Sequence, residues 1–262
     1  MKIAVTAASG HLGGEIVKHL LNELSSDQIV GIARTPDKAK SLGVEIRKGD
    51  YDNKLHFDKA LQDVDAVLLV SGMDKPEKRI QQHRNVIQAA AEAGVKKIVY
   101  TSILGPEEGT SFSPIVQSNR QTERDIKSSG LQWAIGRNGL YIEPDIEYID
   151  GYKKTGQVSN CAGDGKCAYT TRSELGYAYT HLLLTDASNG HVFALAGEPL
   201  TQTRLVDFLN DTFDLDLVYE YIDPETFRKQ RVEELGEHLG NIIAGIYDGI
   251  HKDSFDVQSD YV

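Results

Sequence analysis

The sequence has 262 residues, 40% of them hydrophobic and 26% charged, which suffices for one large α/β domain or for a nucleotide-binding domain with a smaller second lobe. The formal net charge of -11 opposes attraction to a phosphate backbone outside local basic patches, so we expect no nucleic-acid partner. Because the first residues form a short strand pattern, and because no apolar run is long enough to span a bilayer, we expect a soluble, cytoplasmic protein without a membrane partner.

The first half of the chain alternates short apolar runs with longer amphipathic patterns. The predicted strands cover 2–6, 28–33, 44–48, 65–71, 97–102 and 132–137. The predicted helices cover 12–24, 36–42, 54–61, 77–93 and 118–128. This alternation is typical of βαβ units, so the sequence predicts a Rossmann-type, doubly wound parallel sheet.

The pattern changes after about residue 140, where glycines interrupt the sequence before three further helical patterns at 171–185, 201–213 and 224–250. We interpret this part as a smaller α/β C-terminal lobe. The predicted boundaries are 1–140 for a dinucleotide-binding domain and 141–262 for a substrate-binding lobe, with later segments returning to the first domain.

The chain contains two cysteines, Cys161 and Cys167, without a second pair or a nearby histidine cluster. A zinc site needs about four such ligands, so we expect two ordinary thiols and no metal.

A turn of small residues directly follows the first strand and precedes the first helix: Thr6-Ala7-Ala8-Ser9-Gly10-His11-Leu12-Gly13. Small side chains let phosphate oxygens approach the backbone, and the N–H groups at a helix N-terminus favour negative charge. The alternative is a plain tight turn between a strand and a helix. The residues predicted to contact a dinucleotide here are Thr6, Ala8, Ser9, Gly10, His11, Leu12 and Gly13.

Arg34 stands at the end of the second strand, 21 positions beyond Gly13. An NAD-specific site usually has an acidic residue here for the ribose 2′-hydroxyl, whereas a cation accommodates the 2′-phosphate of NADP. Arg34 therefore favours NADP(H) as the cofactor, and Lys38 either assists or is solvated. The alternative is an exposed arginine at a strand end.

Three further strand ends carry candidate cofactor contacts. Asp50 and Tyr51 follow the third strand and could meet the adenine ring, although an ordinary Asp-rich turn is equally compatible with the pattern. The remaining candidates lie at the ends of the fourth and fifth strands: Val70, Ser71, Gly72, Thr101 and Ser102.

The chain resembles the NmrA-like atypical short-chain dehydrogenases, especially bacterial NADPH:quinone oxidoreductases and triphenylmethane dye reductases. The matching segments, in shared order and spacing, are the loop at 6–13, Ile29-Val30-Gly31-Ile32-Ala33-Arg34, Gly49-Asp50-Tyr51, Gln82-His83-Arg84-Asn85-Val86-Ile87, Tyr100-Thr101-Ser102, Arg137-Asn138-Gly139-Leu140-Tyr141, Ala162-Gly163-Asp164-Gly165, Thr171-Arg172 and Leu195-Ala196-Gly197. The resemblance implies an NADPH-dependent reductase that transfers hydride to a quinone or similar conjugated acceptor.

Three features depart from that family pattern. Ala7 replaces the first glycine of the loop, and an alanine is tolerable there only if its φ is negative. Asn119 stands where the reductases tend to have a histidine, which puts the role of that histidine in doubt. The chain also ends at Val262, before the last segment that these relatives usually have.

The catalytic pair of ordinary short-chain dehydrogenases is missing, because none of the twelve tyrosines has a lysine four residues later. Proton-coupled alcohol oxidation and sugar epimerisation are therefore disfavoured. By resemblance, Asn138 and Tyr141 lie near the nicotinamide and the acceptor, where Tyr141 either donates a hydrogen bond to a quinone oxygen or packs as an aromatic.

A regulator that binds a dinucleotide without turnover, as NmrA itself does, is the alternative function. The missing Tyr-Lys pair and the changes at Ala7 and Asn119 fit that alternative too. The sequence leaves the physiological acceptor and the oligomeric state open.

Overall fold

The computed structural model describes residues 1–261, which fall into two compact units. The first unit comprises Met1–Ile103, Gln117–Asn138 and Arg172–Leu195. The second comprises Leu104–Val116, Gly139–Thr171 and the described chain from Ala196 onward. Each unit is therefore assembled from three separate segments.

The strands of the described chain are, in order, β1 (Ile3–Val5), β2 (Ile29–Ala33), β3 (Glu45–Lys48), β4 (Ala66–Leu69), β5 (Lys97–Ile103), β6 (Gln132–Asn138), β7 (Leu140–Tyr141), β8 (Gln157–Asn160), β9 (Lys166–Thr170), β10 (His191–Leu195), β11 (Pro199–Thr201) and β12 (Val218–Tyr221). The α-helices are α1 (His11–Leu20), α2 (Lys54–Ala60), α3 (Pro76–Glu92), α4 (Ser113–Lys127), α5 (Glu143–Glu147), α6 (Ile149–Thr155), α7 (Arg172–Leu184), α8 (Gln202–Phe213), α9 (Pro224–Leu235) and α10 (Glu237–His251).

The first unit contains a seven-stranded sheet in the order β10-β6-β5-β4-β1-β2-β3, and every neighbouring pair is parallel. This confirms the predicted Rossmann-type α/β fold. Ile3 of β1 pairs with Ile29 of β2 on one side and with Ala66 of β4 on the other. The strand order reverses at this point, so the connecting segments diverge and open a crevice at the carboxyl ends of β1 and β4.

Burial explains why the central strands carry continuous apolar runs. All residues of β1, β2 and β4 are buried, as expected for a parallel sheet covered by helices on both faces. One core cluster extends from Ala4 and Val30 through Leu69 and Tyr100 to Ile135. Helix α7 packs against α1 and against strands β4 to β6, so a late segment of the chain completes this unit.

The second unit has two small sheets. In the first, β9 pairs with β7 in parallel and with β11 in the antiparallel direction. In the second, β12 pairs with β8 in parallel. Helices α9 and α10 pack against each other. None of the helices within residues 1–261 is long and apolar enough to cross a membrane.

Four predicted helices differ from the structure, the first because α1 ends at Leu20 rather than near 24. The segment 36–42 forms a 3₁₀ helix, and α4 starts at Ser113 rather than near 118. The single helix predicted over 224–250 was wrong, because Gly236 has φ +79° and separates α9 from α10. A residue in this conformation cannot continue a right-handed helix, and Gly240 then packs directly on the backbone of Val232.

Candidate functional site

The turn between β1 and α1 is held by backbone hydrogen bonds. The N–H of Ala8 donates to the carbonyl of Ile32 at 3.0 Å, and the N–H of Gly10 donates to the carbonyl of Ala7 at 2.9 Å. Helical bonding begins with Gly14, whose N–H donates to Gly10 at 2.9 Å. The N–H groups of the first helical turn have no carbonyl acceptor within the helix, and no side chain caps them. This helix terminus can therefore receive an anion.

Ala7 corrects an expectation about this turn. Its φ is +50°, in the left-handed region, whereas the sequence led us to require a negative φ. The carbonyl of Ala7 closes the turn by accepting from Gly10, which holds the residue in a conformation that glycine adopts more easily. The methyl group is tolerated at a backbone cost of roughly 1–2 kcal/mol.

Gly13 is required by the same turn. A Cβ at this position would overlap the carbonyl oxygen of Ala7 and lie 2.8 Å from its carbonyl carbon. At Gly10, a Cβ would approach the same oxygen to 3.2 Å. Ser9, Gly10 and His11 are exposed, whereas Ala8, Leu12 and Gly13 are buried. The loop thus presents backbone with little side-chain cover, a cradle suited to a pyrophosphate.

Arg34 follows β2 and is exposed. It makes no hydrogen bond or ion pair with another residue in the part of the chain that the structure describes. The pKa of Asp52 is lowered by hydrogen bonds from Gln82 and Lys78 and, in smaller part, by the charge of Arg34. Lys38 is also exposed, one turn further along. Both cations are therefore available to a phosphate group.

Thr6, Tyr51 and Val70 form a closed ring of hydrogen bonds across three strand ends. The N–H of Val70 donates to Oγ1 of Thr6 at 2.9 Å, and the Tyr51 hydroxyl donates to the Val70 carbonyl at 2.7 Å. The Thr6 hydroxyl, 2.7 Å from the Tyr51 oxygen, completes the ring as donor. Tyr51 also stacks on Phe57. The side chains of Thr6 and Tyr51 therefore brace the edge of the sheet internally.

Asp50 forms the local turn that the sequence offered as an alternative. Its Oδ1 accepts from the N–H of Asp52 at 3.1 Å, and its carbonyl accepts from Asn53 at 2.8 Å. The cap of α2 is Asn53, whose side chain accepts from the N–H of Leu55. Asp50 remains half-exposed next to the buried Gly49, so a role towards the cofactor stays a prediction.

Ser71 and Thr101 connect the ends of β4 and β5. The N–H of Ser71 donates to Oγ1 of Thr101 at 2.9 Å. Oδ1 of Asn119 accepts from the hydroxyls of Ser71 at 3.0 Å and Tyr100 at 2.6 Å. Asn119, which replaces the histidine of the reductases, is thus a buried acceptor that ties two strand ends together.

Gly72 is held by two buried side chains that the sequence did not single out for this role. Nε2 of His83 accepts from its N–H at 3.0 Å, and Nη1 of Arg79 donates to its carbonyl at 3.1 Å. A sequence signal was present, since Arg79 and His83 lie four positions apart on one face of a helix.

Ser102 belongs to a charged network at the ends of β5 and β6. Its hydroxyl donates to Oε1 of Glu123 at 2.7 Å, and Arg120 donates to the same oxygen at 2.9 Å. Arg137 binds both carboxylate oxygens of Glu123, at 2.9 and 2.7 Å. Burial alone would raise the pKa of Glu123, but the hydrogen bonds of Arg137 and Ser102 and the charges of both arginines lower it.

The two predicted catalytic residues lie in different units. Asn138 ends β6 and is buried, with its Oδ1 accepting from the hydroxyl of Tyr179 at 2.5 Å. Tyr141 is half-buried in β7 of the second unit, where it pairs with Thr170. Within residues 1–261, no group of three or more His, Cys, Asp or Glu side chains is arranged to hold a metal ion.

A family described as NAD(P)H-binding matches residues 7–161. The chain is 34% identical over 229 residues to "Quinone oxidoreductase 2" of Escherichia coli (strain K12), covering 86% of this chain and 79% of the relative. It is 30% identical over 235 residues to the "NmrA-like family domain-containing oxidoreductase flvB" of Aspergillus flavus, covering 87% of this chain and 76% of the relative.

A solved structure agrees with these matches. The triphenylmethane reductase of Citrobacter sp. complexed with NADP(H) superposes with a TM-score of 0.92 at 31% sequence identity, covering 99% of this chain and 93% of that one. The resemblance read from the sequence is thereby confirmed. Together, the sheet order, the loop after β1 and these similarities show that the chain belongs to the NmrA-like family of NAD(P)H-binding proteins.

Proposed function

We propose that this protein is a cytoplasmic NADPH-dependent reductase that transfers hydride to a quinone or a similar conjugated small molecule. The observation that carries the proposal is the pairing of an uncapped helix N-terminus at α1 with the exposed Arg34 at the neighbouring strand end. The relatives named for quinone and triphenylmethane reduction support the choice of acceptor class.

The residues present fit NADPH. The backbone of Ser9 to Gly13 would hold the pyrophosphate, and Arg34 with Lys38 would hold the 2′-phosphate. Asp50 and Tyr51 would border the adenine, while the strand ends at 70–72 and 101–102 would line the remainder of the nucleotide. When bound, NADPH supplies the hydride. The chain contributes binding, orientation and the exclusion of water.

The missing Tyr-Lys pair favours a quinone over an alcohol or ketone as the substrate. Without it, the chain lacks the tuned proton partner that alcohol oxidation uses, worth about 10²–10⁴ in rate. A quinone needs less assistance because aromatisation favours its reduction. We assign Asn138 and Tyr141 to the acceptor end of the site. The hydroxyl of Tyr179 orients the amide of Asn138, so that Nδ2 is its donor end.

The test has two stages. NADPH binding is measured first by titration, and NADPH consumption is then followed spectrophotometrically with a panel of quinones and triphenylmethane dyes. We expect turnover with at least one acceptor and none with simple secondary alcohols. Binding without consumption across the panel would refute the reductase and favour the NmrA-type regulator.

Tyr141→Phe tests the acceptor contact directly. Loss of one hydrogen bond to the acceptor should lower kcat/KM about tenfold while NADPH binding is retained. Tyr177→Phe is the matched control, because Tyr177 is an exposed tyrosine on α7 of the first unit. Unchanged kinetics in Tyr141→Phe would make Tyr141 a packing residue.

A further inference from the structure

Helix α4 buries an unusual set of polar side chains on one face. The sequence spacing of these residues, with each pair of neighbours followed by another pair about one helical turn later, places them on the same side of the helix. They are Ser118, Asn119, Thr122 and Glu123. All four are at most 2% exposed. A buried polar group is costly unless it is hydrogen-bonded, so the contacts of this face must offset that cost.

Two of these side chains bind residues at the carboxyl edge of the sheet directly. Asn119 binds Ser71 after β4, and Glu123 binds Ser102 of β5. Ser118 and Thr122 act through α3 instead. The hydroxyl of Ser118 accepts from Nη2 of Arg79, and Oγ1 of Thr122 lies 2.9 Å from Nδ1 of His83.

Arg79 and His83 converge on a single residue, Gly72. His83 accepts from its N–H, and Arg79 donates to its carbonyl, so the two polar backbone groups of Gly72 are both bound by buried side chains. A Cβ on Gly72 would lie 3.3 Å from Oε1 of Gln82 and 3.6 Å from Nε2 of His83. Side chains of α3 therefore lie within contact distance of this position.

The hydrogen bonds define the protonation state of His83. Since Nε2 accepts from Gly72, the proton lies on Nδ1 and is donated to Thr122. The Thr122 hydroxyl in turn donates to the carbonyl of Ser118 at 3.1 Å. Burial and the nearby charge of Arg79 lower the pKa of His83 to about 3, so the ring stays neutral near pH 7. The Gly72 N–H, His83 Nδ1–H and the Thr122 hydroxyl therefore each have an acceptor in this series of hydrogen bonds.

We infer that Arg79 and His83 are positioning residues which, backed by Ser118 and Thr122, hold the Ser71–Gly72 backbone in the conformation that receives the nicotinamide half of the dinucleotide. The inference rests on the proposed cofactor site. In this sheet topology, the half beyond the crevice, formed by β4 to β6, faces the second mononucleotide of a dinucleotide.

The hydrogen bonds of Arg79 and His83 to Gly72, with their supports Ser118 and Thr122, are called the clamp below. Thr122→Val breaks the clamp with a nearly isosteric change. His83 Nδ1–H then loses its acceptor, and a switch to the other tautomer would set two donors against each other at Gly72. We expect the Kd for NADPH to rise about tenfold, the effect of one lost hydrogen bond. The Kd for adenosine 2′,5′-bisphosphate, which lacks the nicotinamide half, should stay within about twofold of the original protein.

Two variants serve as controls. Thr122→Ser keeps the hydroxyl and should bind NADPH as tightly as the original protein. Thr180→Val removes another buried threonine hydroxyl, which has no hydrogen-bond partner within the described chain, and should leave both affinities unchanged. Equal NADPH affinity in Thr122→Val and the original protein would overturn the inference. So would parallel weakening of both ligands, because that pattern indicates a general structural defect.

Measurements on the unmodified protein keep the test independent of variant folding. Nitrogen-15 NMR should show His83 with its proton on Nδ1, and the amide of Gly72 should be protected from hydrogen exchange. A protonated Nε2 or a rapidly exchanging Gly72 would contradict the clamp. If the unmodified protein binds adenosine 2′,5′-bisphosphate and NADPH but reduces no acceptor, the proposed reductase fails while the clamp stands.

Discussion

Ala7 has a side chain in a backbone conformation that favours glycine. Ala7 has φ +50°, and its carbonyl is used to close the turn with Gly10. The turn geometry is thus set by neighbours on both sides, and the alanine adopts it at a cost. The cost lowers the stability of the fold. It leaves the exposed backbone of the loop unchanged, because the methyl group blocks none of the hydrogen bonds described there.

Ala7→Gly should stabilise the protein by about 1 kcal/mol, because glycine adopts the left-handed region without a Cβ penalty. The free energy of unfolding in urea measures the effect. Ala8→Gly is the control and should destabilise by a similar amount, since Ala8 is buried and has no positive φ. A lower stability of Ala7→Gly would show that the methyl group has a packing role outweighing the backbone strain.

Arg34 is expected to determine cofactor preference. A charge-assisted bond to the 2′-phosphate should favour NADPH over NADH, and Arg34→Ala should remove roughly 1–3 kcal/mol of that preference, or about 5- to 150-fold. Titration of each variant with both cofactors measures it. Arg124→Ala provides the control, because this exposed arginine contacts the side chain of Gln121 on its own helix. Equal affinities of the unmodified protein for the two cofactors would refute the assignment.

At the scale of elements, α4 differs from an ordinary amphipathic helix. Its buried face includes the carboxylate of Glu123, which binds Arg120, Arg137 and Ser102. Two arginines share one carboxylate, and the strand ends that carry Ser102 and Arg137 are held together through it. Removing that charge leaves the arginines without their common partner in a largely dehydrated setting.

Glu123→Gln should therefore destabilise the protein by about 3–5 kcal/mol near pH 7. The bonds of Arg137 and Ser102 hold the folded-state pKa of Glu123 below the ordinary glutamate value of 4.5, so its contribution is present above that pH and is lost as pH falls through the folded-state pKa. The difference between variant and original should shrink in acid. Urea unfolding at several pH values from 7 to about 3 tests this.

Glu77→Gln, at an exposed position in the first turn of α3, should change stability little at any of these pH values. A constant difference between Glu123→Gln and the original protein across the whole range would show that the carboxylate charge is not what stabilises the network.

At the scale of the whole molecule, the dinucleotide-binding unit is discontinuous in sequence. Strand β10 pairs with β6, and the hydroxyl of Tyr179 on α7 donates to the carbonyl of Gly136 at 3.0 Å. A Cβ at Gly136 would lie 2.8 Å from the ring of Tyr179, so this strand and helix are in close contact. Residues after 170 thus complete a sheet that begins at Ile3.

A fragment of residues 1–140 should consequently fail to fold cooperatively. It lacks Arg172–Leu195, which contributes an edge strand and the helix that covers α1 and the centre of the sheet. Removing that cover exposes apolar surface worth roughly 25 cal/mol per Å². Thermal melts followed by circular dichroism, with the full chain as reference, test the expectation. A sharp transition resembling that of the full chain would contradict it.

Much of the fold and the placement of part of the candidate site could be predicted from the sequence, because the signals were local. Strand and helix periodicities gave the βαβ order, and the turn with Gly10 and Gly13 could be placed because it directly joins a strand to a helix. Arg34 could be named because the end of the second strand has a known relation to the nucleotide ribose. Residues close in sequence carried each of these signals.

The remainder depended on contacts between distant segments. The turn that holds Ala7 at a left-handed φ is anchored on β2 by the hydrogen bond from the Ala8 N–H to the Ile32 carbonyl, and the break at Gly236 accompanies the packing of α10 back on α9. Ser71 and Asn119 are 48 residues apart, and His83 and Thr122 are 39 apart. Side-chain hydrogen bonds of this kind leave no periodic pattern, because each needs one partner whose position is determined only once the sheet and its helices have packed.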